Sequence, residues 1–516
     1  MKLHCKSYPN LYKDSVSLMQ VSAKLNGLTG VQQASVAMAT EANIERMHDA
    51  GLAVDIAARP NDLLIALLAD DETGQQALAL ADEMLSPAAQ PQSQQGAERP
   101  QPASIAMGLE EMPDASLALI SVPGRYAAAE ALKALHLGLN VMLFSDNVPE
   151  TEEAAIKRYA SDHNLLVMGP DCGTAIVNGL PLGFANVVRR GAIGIIAASG
   201  TGLQEVTCRI HHLGEGISQA LGTGGRDLHS AIGGQSMLQG LRMLAADPDT
   251  RLIVLISKPP SADVAEQVLS FVGHCGKPAV VHFLGASADD ISRYGAVPAH
   301  SLQHTADVAV ALLRGNPSPA EEEPDPLLRQ AAAAQAAQMA ASQRDIRGVF
   351  AGGTFCYEAQ LALTAAGLTC ESNAPVKGAQ SLKDIHRSHG HSFIDMGDDT
   401  FTQGRPHPMI DPTLRNARLL LEASDPATAV LLFDIVLGYG ASEDPTRDLL
   451  PLLEQARTQA RVQGRHLLMI AHVCGTDRDP QPRQQQIDAL RQAGVLVAQS
   501  NQQAAQLAVF VAQQRI

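Results

Sequence analysis

The sequence predicts an α/β protein: a small N-terminal α+β unit, a Rossmann-like layer and two doubly wound, flavodoxin-like layers. Three observations carry this. From Leu117 onward, short apolar runs alternate with stretches of helical length, the pattern of right-handed parallel βαβ units. The alternation stops near Pro317 and restarts at Gly348. The apolar residues, 46% of 516, are largely Ala, Leu, Val and Ile, which suits helices packed on buried parallel strands. A chain of this length exceeds one core and divides into three or four domains.

In residues 1–86, Ser17–Leu25 reads as a helix, Gln33–Met38 as a strand, Ala42–Ala50 as a helix, Asp62–Leu68 as a strand and Gly74–Leu85 as a helix. This order suits a ferredoxin-like unit. Residues 87–104, rich in Pro, Gln and Ala without an apolar period, read as a linker. In residues 105–190 the strands are LALISV, NVMLFS and NLLVMG, with helices Tyr126–Leu137 and Glu150–His163 between them. In residues 191–315, IGIIAA, ISQAL, LIVLIS and AVVHFL are strands, and Leu203–Leu213, Met237–Ala246 and Val264–Val272 helices. Residues 316–345, acidic and then Ala/Gln-rich, hold one helix and a linker. In residues 346–516, GVFAGG, FIDMG, VLLFDIV, HLLMIAHV and VLVAQS are strands, with helices from Tyr357, from Leu449 to Val462 and from Arg483.

The net charge of -16 argues against nucleic acid or an anionic membrane surface as the main partner, because both need clustered Lys and Arg. The seven cysteines are scattered, odd in number and lack CxxC spacing, which fits reduced thiols in a cytoplasmic protein rather than disulfides or a structural zinc site. The start, MKLHCKSYPN, has no long apolar segment, and no uninterrupted apolar run is long enough to cross a bilayer. No Asp/His set has metal-site spacing.

Ligands of open parallel sheets bind at the carboxyl ends of strands, near helix N-termini. Ser199, Gly200, Thr201 and Gly202 follow IGIIAA and precede a helix; glycines admit an anion to the backbone, and the helix start supplies free N–H groups. A tight turn without a ligand is the plainer reading. Gly224, Gly225 and Arg226 follow ISQAL, where Arg226 offers a fork for phosphate or carboxylate; a glycine-permitted surface loop is the plainer reading. Cys172 in GPDCGT stands at a strand end as a nucleophile or, more simply, as a packed thiol. The segment from Gly404 to Asn416 holds three prolines, so it reads as a loop, carrying Arg405, His407, Asp411 and Arg415 to bind a small dianion and move a proton. Cys474 and Arg478 follow LLMIA in a further strand-to-helix loop, and Asp395 and Asp434 close their strands.

These residues also carry a family likeness. The run from LALISV to GPDCGT resembles the second half of the CoA-binding domain of the succinyl-CoA synthetase α subunit, and GAIGIIAASGTGLQEV…GTGGRDL resembles the start of that subunit's ligase domain. HSFIDMGDD, AVLLFDIVLGYGA and the final βαβ resemble the matching β-subunit domain. The order SVSLM, GPDCGT, ASGTG, GGRDL, GRPHPMIDPTLRN is similar to that of the FdrA family. Against the synthetases, this chain has no room for an ATP-grasp domain, lacks the phosphohistidine loop after AVVHFL and replaces the first half of the CoA-binding domain with the N-terminal unit. The FdrA resemblance implies a subunit of an oxamate carbamoyltransferase of allantoin breakdown, taking oxalurate and phosphate to oxamate and carbamoyl phosphate. It implies partner subunits, in a hetero-oligomer or a homodimer, and an anionic small-molecule substrate. Inorganic phosphate enters as substrate, no cofactor is firmly implied and CoA stays open. On this reading Gly200–Gly202 and Gly224–Arg226 cradle phosphate, Arg405 or Arg415 holds a carboxylate and His407 shuttles a proton. Glu205 matches the glutamate that contacts the phosphohistidine loop in the synthetases. The alternatives are an acyl-CoA synthetase subunit acting on a CoA thioester or acyl phosphate with a partner, and a non-catalytic scaffold.

Overall fold

The computed structural model describes residues 1–515 except 12, 14, 41, 42, 45, 46, 49, 53–57, 60, 86–101, 403 and 404. Most of the expected linker 87–104 and part of the expected helix Ala42–Ala50 lie outside the described residues.

The N-terminal unit has a three-stranded antiparallel sheet in the spatial order Lys2–Tyr8, Leu63–Ala69, Gln33–Met38. Helices Ser15–Asn26 and Asp71–Leu85 pack on it. The central strand LLIALLA is nearly all buried, as its unbroken apolar run requires. The edge strand KLHCKSY is not legible in the sequence: its polar residues show no apolar run, and only its pairing with Leu63–Ala69 makes it a strand.

The Rossmann-like layer has three parallel strands, Leu117–Ile120, Asn140–Leu143 and Val167–Met168, joined by helices Gly124–His136 and Glu150–Asp162. The next sheet has seven strands, five of them parallel: Val297–Pro298, Ala279–Phe283, Leu252–Ser257, Arg190–Ala198 and Ile217–Gly222. A hairpin, Thr174–Val177 with Leu180–Gly183, extends its edge antiparallel to Ile217–Gly222. This hairpin, within the stretch assigned to the Rossmann-like layer, belongs by hydrogen bonding to the following sheet.

The last sheet repeats the plan, with Ser392–Asp395, Asp345–Phe350, Thr428–Val436, Leu468–Cys474 and Leu496–Ala498 in parallel. Among the five parallel strands named in each large sheet, the first lies inside, between the second and the third, which is the flavodoxin-like order; the last sheet adds the short strands Glu371–Ser372 and Gln380–Ser381 at its edge. The expected α/β architecture is thus present. The two units share one apolar core: Ile195, Leu203 and Val206 pack in the same cluster as Ile346, Phe355 and Leu432. Side chains also cross the seam. Asn186 Nδ2 donates to Leu437 O at 2.8 Å and to Asp479 Oδ2 at 2.7 Å, and Thr476 Oγ1 donates to Val187 O at 2.7 Å.

Candidate functional site

The strand Arg190–Ala198 runs into Ser199, whose Oγ caps the helix Gly200–His212 by accepting from Gly202 N at 3.0 Å. The strand Asp345–Phe350 runs in the same way, through Ala351 and Gly352, into the helix Gly353–Ala365. The two helix starts meet: Ser199 Oγ and Thr354 Oγ1 share a hydrogen bond of 2.6 Å, and Thr354 N donates to Thr201 Oγ1 at 3.4 Å. Asp434 fixes the second turn from below by accepting from Ala351 N and Gly352 N, both at 2.7 Å. The first-turn amides of two helices, which have no intrahelical partners, therefore converge on one place with their dipoles aligned for an anion.

That place is a cleft of about 610 Å³ between all three α/β layers. Ser199, Gly200, Thr201, Gly224, Gly225, Arg405 and His407 line it. Gly202, Glu205, Arg226 and Arg415 do not. Glu205 is buried and forms an ion pair with His472, Oε2 to Nε2 at 2.7 Å, across the seam. Arg415 is buried on the helix Thr413–Ser424 and donates to Asp434 O at 2.5 Å and to Asn416 Oδ1 at 2.9 Å. It supports the sheet end rather than facing the cleft. Arg226 donates to Val148 O at 2.7 Å and pairs with Glu153 at 2.8 Å, which ties its loop to the neighbouring layer.

The loop Gly224–Arg226 does not open into a helix as Ser199–Gly202 does; the next helix, Gln235–Ala246, begins nine residues on. Asp227 already fills the next helix start, accepting from Ser236 N at 3.2 Å and Met237 N at 2.8 Å. It also pairs with the buried Lys157 at 2.9 Å. Gly224 is forced by its φ of +84° and by the backbone: a Cβ there would stand 2.3 Å from Pro170 O. The real counterpart of Ser199–Gly202 is Gly352–Thr354, read from sequence as the tail of a strand.

Acids that sequence reading noticed but gave no role stand here. Asp171, with φ of +55°, reaches into the cleft. Its carboxyl is open to cleft water yet ringed by protein; this desolvation, with Asp146 and Asp399 nearby, pushes its pKa up to about 7 against the pull of Lys258 and Arg226. Asp395, buried at the end of its strand, is pushed by burial up to about 6, with Lys258 opposing. Its Oδ1 accepts from Gly397 N at 2.9 Å. Lys258 and Asp398 also line the cleft.

His407 is partly reached from the cleft, but the protein around it pushes its pKa down to about 4. Its Nδ1 accepts from Met409 N at 3.2 Å. A ring with so low a pKa is a weak base at neutral pH, so Asp171 and Asp395 suit proton transfer better. Cys172 is buried, and desolvation first of all pushes its thiol up to about 12, which fits the packed reading rather than the nucleophile.

Residues 349–511 match the family described as CoA-ligase, and residues 1–102 match the AllF, heavy metal-associated domain. The protein YahF of Escherichia coli (strain K12) is 45% identical over 502 residues, which is 96% of this chain and 95% of YahF. The chain belongs to the YahF family. Over a shorter span, this YahF-family chain is 30% identical over 190 residues to the succinate–CoA ligase (ADP-forming) subunit alpha-2, mitochondrial, of Trichomonas vaginalis, covering 35% of the chain and 60% of that subunit. The malate–CoA ligase subunit alpha of Methylorubrum extorquens is 27% identical over 193 residues, 36% of the chain and 64% of that subunit. The chain therefore spans about three-fifths of the length of these α subunits. Among solved structures, the dinucleotide forming acetyl-coenzyme A synthetase 1 of Ca. Korarchaeum cryptofilum in complex with phosphate and ADP shares 12% identity, covering 82% of this chain and 88% of that one, at a TM-score of 0.35. The succinyl-CoA synthetase likeness read from the sequence is thus borne out for the ligase-type part. Among the described residues, no helix is long and apolar enough to cross a membrane.

Proposed function

We propose that the chain is the acyl-phosphate-handling subunit of a succinyl-CoA synthetase-like assembly, holding a phosphate dianion between the starts of helices Gly200–His212 and Gly353–Ala365. The observation that carries this is the meeting of Ser199 with Thr354 in the wall of the cleft. Backbone amides and hydroxyls take the phosphate oxygens, and Lys258 and Arg405 add the positive charge that an acyl phosphate needs. As an oxygen of phosphate joins the acyl carbon of a CoA thioester, the carbon–sulfur bond breaks, and Asp171 or Asp395 passes the proton of the phosphate hydroxyl to the leaving CoA sulfur. The names of the α-subunit relatives support a partner chain, which would bring nucleotide and CoA chemistry.

A second reading takes carbamoyl as the acyl group. It rests on the FdrA resemblance and on one observation: no residue of the segment after Ala279–Phe283, where the synthetases carry their phosphohistidine, lines the cleft, so phosphate itself is the reactant. Phosphate oxygen would bond to the carbamoyl carbon of oxalurate, the C–N bond would break, and the proton would pass to the leaving oxamate nitrogen.

The protein, alone and with candidate partners, is given phosphate with oxalurate or with succinyl-CoA. Carbamoyl phosphate from the first supports the second reading. Release of CoA with succinyl phosphate from the second supports the first. Both readings fall if neither pair reacts and phosphate fails to protect the protein against heat.

A further inference from the structure

A second cavity, of about 470 Å³, opens at the other end of the helix Gly200–His212, between the two flavodoxin-like units. At 1.5 Å per residue the thirteen-residue helix holds it roughly 20 Å from the cleft. Arg189, His211, His212, Asp477 and Arg483 line it. Arg189 uses its guanidinium on the His211 carbonyl, and Arg483 donates Nε to Val473 O at 3.3 Å. Each guanidinium has five N–H donors, so most remain for a ligand. Among the described residues, neither arginine has a carboxylate within ion-pair distance. The one acid lining the cavity, Asp477, is 70% exposed and is engaged by His211 Nε2 at 2.5 Å.

This is a cationic pocket in a protein of net charge -16. The histidines register the field. His212 faces the cavity yet is walled by protein; that desolvation, and then Arg483 and His211, push its pKa down to about 4. Burial, and then Arg189 and Arg478, lower His211 against the pull of Asp477. Arg189 and Arg483 are both half-buried and neither is in ion-pair contact with a carboxylate, so an anion in the cavity would meet two guanidinium groups. The volume suits a small ligand.

We propose that this cavity is a binding site for a diphosphate group, held by Arg189 and Arg483. A diphosphate offers forked oxygens to two guanidinium groups at once, which a single carboxylate does not.

The test is calorimetric titration of the full chain with pyrophosphate, and with ADP in parallel, which separates an inorganic diphosphate from a nucleotide. The R189Q/R483Q variant should bind pyrophosphate at least about tenfold more weakly. Because that variant removes two seam contacts, Q484E/Q485E provides a second measure. Gln484 and Gln485 are exposed at the cavity edge, in the first turn of the helix Arg483–Gln492, where the helix dipole favours acids, although the exchange at Gln484 also ends its bond from Nε2 to Asp488 Oδ1 at 2.8 Å. Their carboxylates should repel the ligand by a similar factor. Thr354→Val, in the distant cleft, should leave this affinity within about twofold. The site is excluded if wild type shows no saturable binding below about 10 mM. It is equally excluded if Q484E/Q485E binds as wild type does. Failure of acyl transfer in the cleft would leave this result untouched.

Discussion

Ser199 and Thr354, 155 residues apart, join their hydroxyls at 2.6 Å and so fuse the first turns of two helices from separate flavodoxin-like units. Neither unit makes the anion cradle by itself. Thr354→Val keeps the shape and removes one hydroxyl, while Ser199 retains its donor from Gly202 N. Phosphate affinity should fall by about tenfold, as befits one lost hydrogen bond to a charged ligand worth about 1.5 kcal/mol. Calorimetry with inorganic phosphate measures it, and unchanged affinity would remove Thr354 from the cradle.

The two arginines of the segment 404–416 should separate cleanly. Arg405 is exposed and lines the cleft; Arg415 is buried and holds the Asp434 carbonyl. Arg405→Gln should weaken anion binding and leave the melting temperature alone. Arg415→Met should do the reverse, costing about 1–3 kcal/mol through the unsatisfied buried groups it leaves. Urea unfolding and phosphate titration of both variants check this, and a swap of the two outcomes would restore Arg415 as a ligand.

The sequence was legible where one residue pattern decides one structure. Apolar runs such as LIVLIS and VLLFDIV became buried parallel strands, and SGTG became a capped helix start. The helix Thr413–Ser424 escaped because three prolines precede it and Arg415 falls within two residues of its start, so a loop residue and a helix residue looked alike. Gly352–Thr354 escaped because FAGG continues a strand pattern, and only the fold brings it against Ser199. The raised pKa values of Asp171 and Asp395 come first from burial in the fold, with Asp146 and Asp399 adding to it at Asp171 and Lys258 opposing it at both, which no local spacing reveals.

Asp395 should set a pH limit on activity and impose a cost on stability. Its pKa of about 6 in the folded chain lies above its ordinary value of 3.8, chiefly through burial. Proton binding to the folded form therefore favours folding below 3.8, and this benefit is lost as pH rises through about 6. Asp395→Asn carries no charge to bury, so above pH 6 it should melt higher than wild type while losing activity. If Asp395 accepts the proton, the wild-type rate climbs through this same range. A variant that melts lower at pH 8 and keeps its activity would sink both halves.

The sequence likeness matched Glu205 to a glutamate that contacts the phosphohistidine loop, whereas here it is buried and paired with His472 at 2.7 Å. Burial by itself would raise the pKa of Glu205 and lower that of His472; their mutual attraction wins, lowering Glu205 and raising His472 to about 10. The glutamate's contribution is present above its ordinary 4.5 and is lost as pH falls through its depressed value. The histidine's contribution is complete below 6.5 and is lost as pH rises through about 10. The pair thus stabilises most between pH 4.5 and 6.5. His472→Gln leaves a buried, unpaired carboxylate and should cost about 3–5 kcal/mol at neutral pH. Adding Glu205→Gln should recover much of that, since two amides can pair without charge. Urea midpoints at pH 5.5 and pH 10 should show the wild type's advantage over the double variant shrinking at the higher pH. An advantage independent of pH, or a double variant that is stable but loses all phosphate-dependent activity, would return Glu205 to the chemistry.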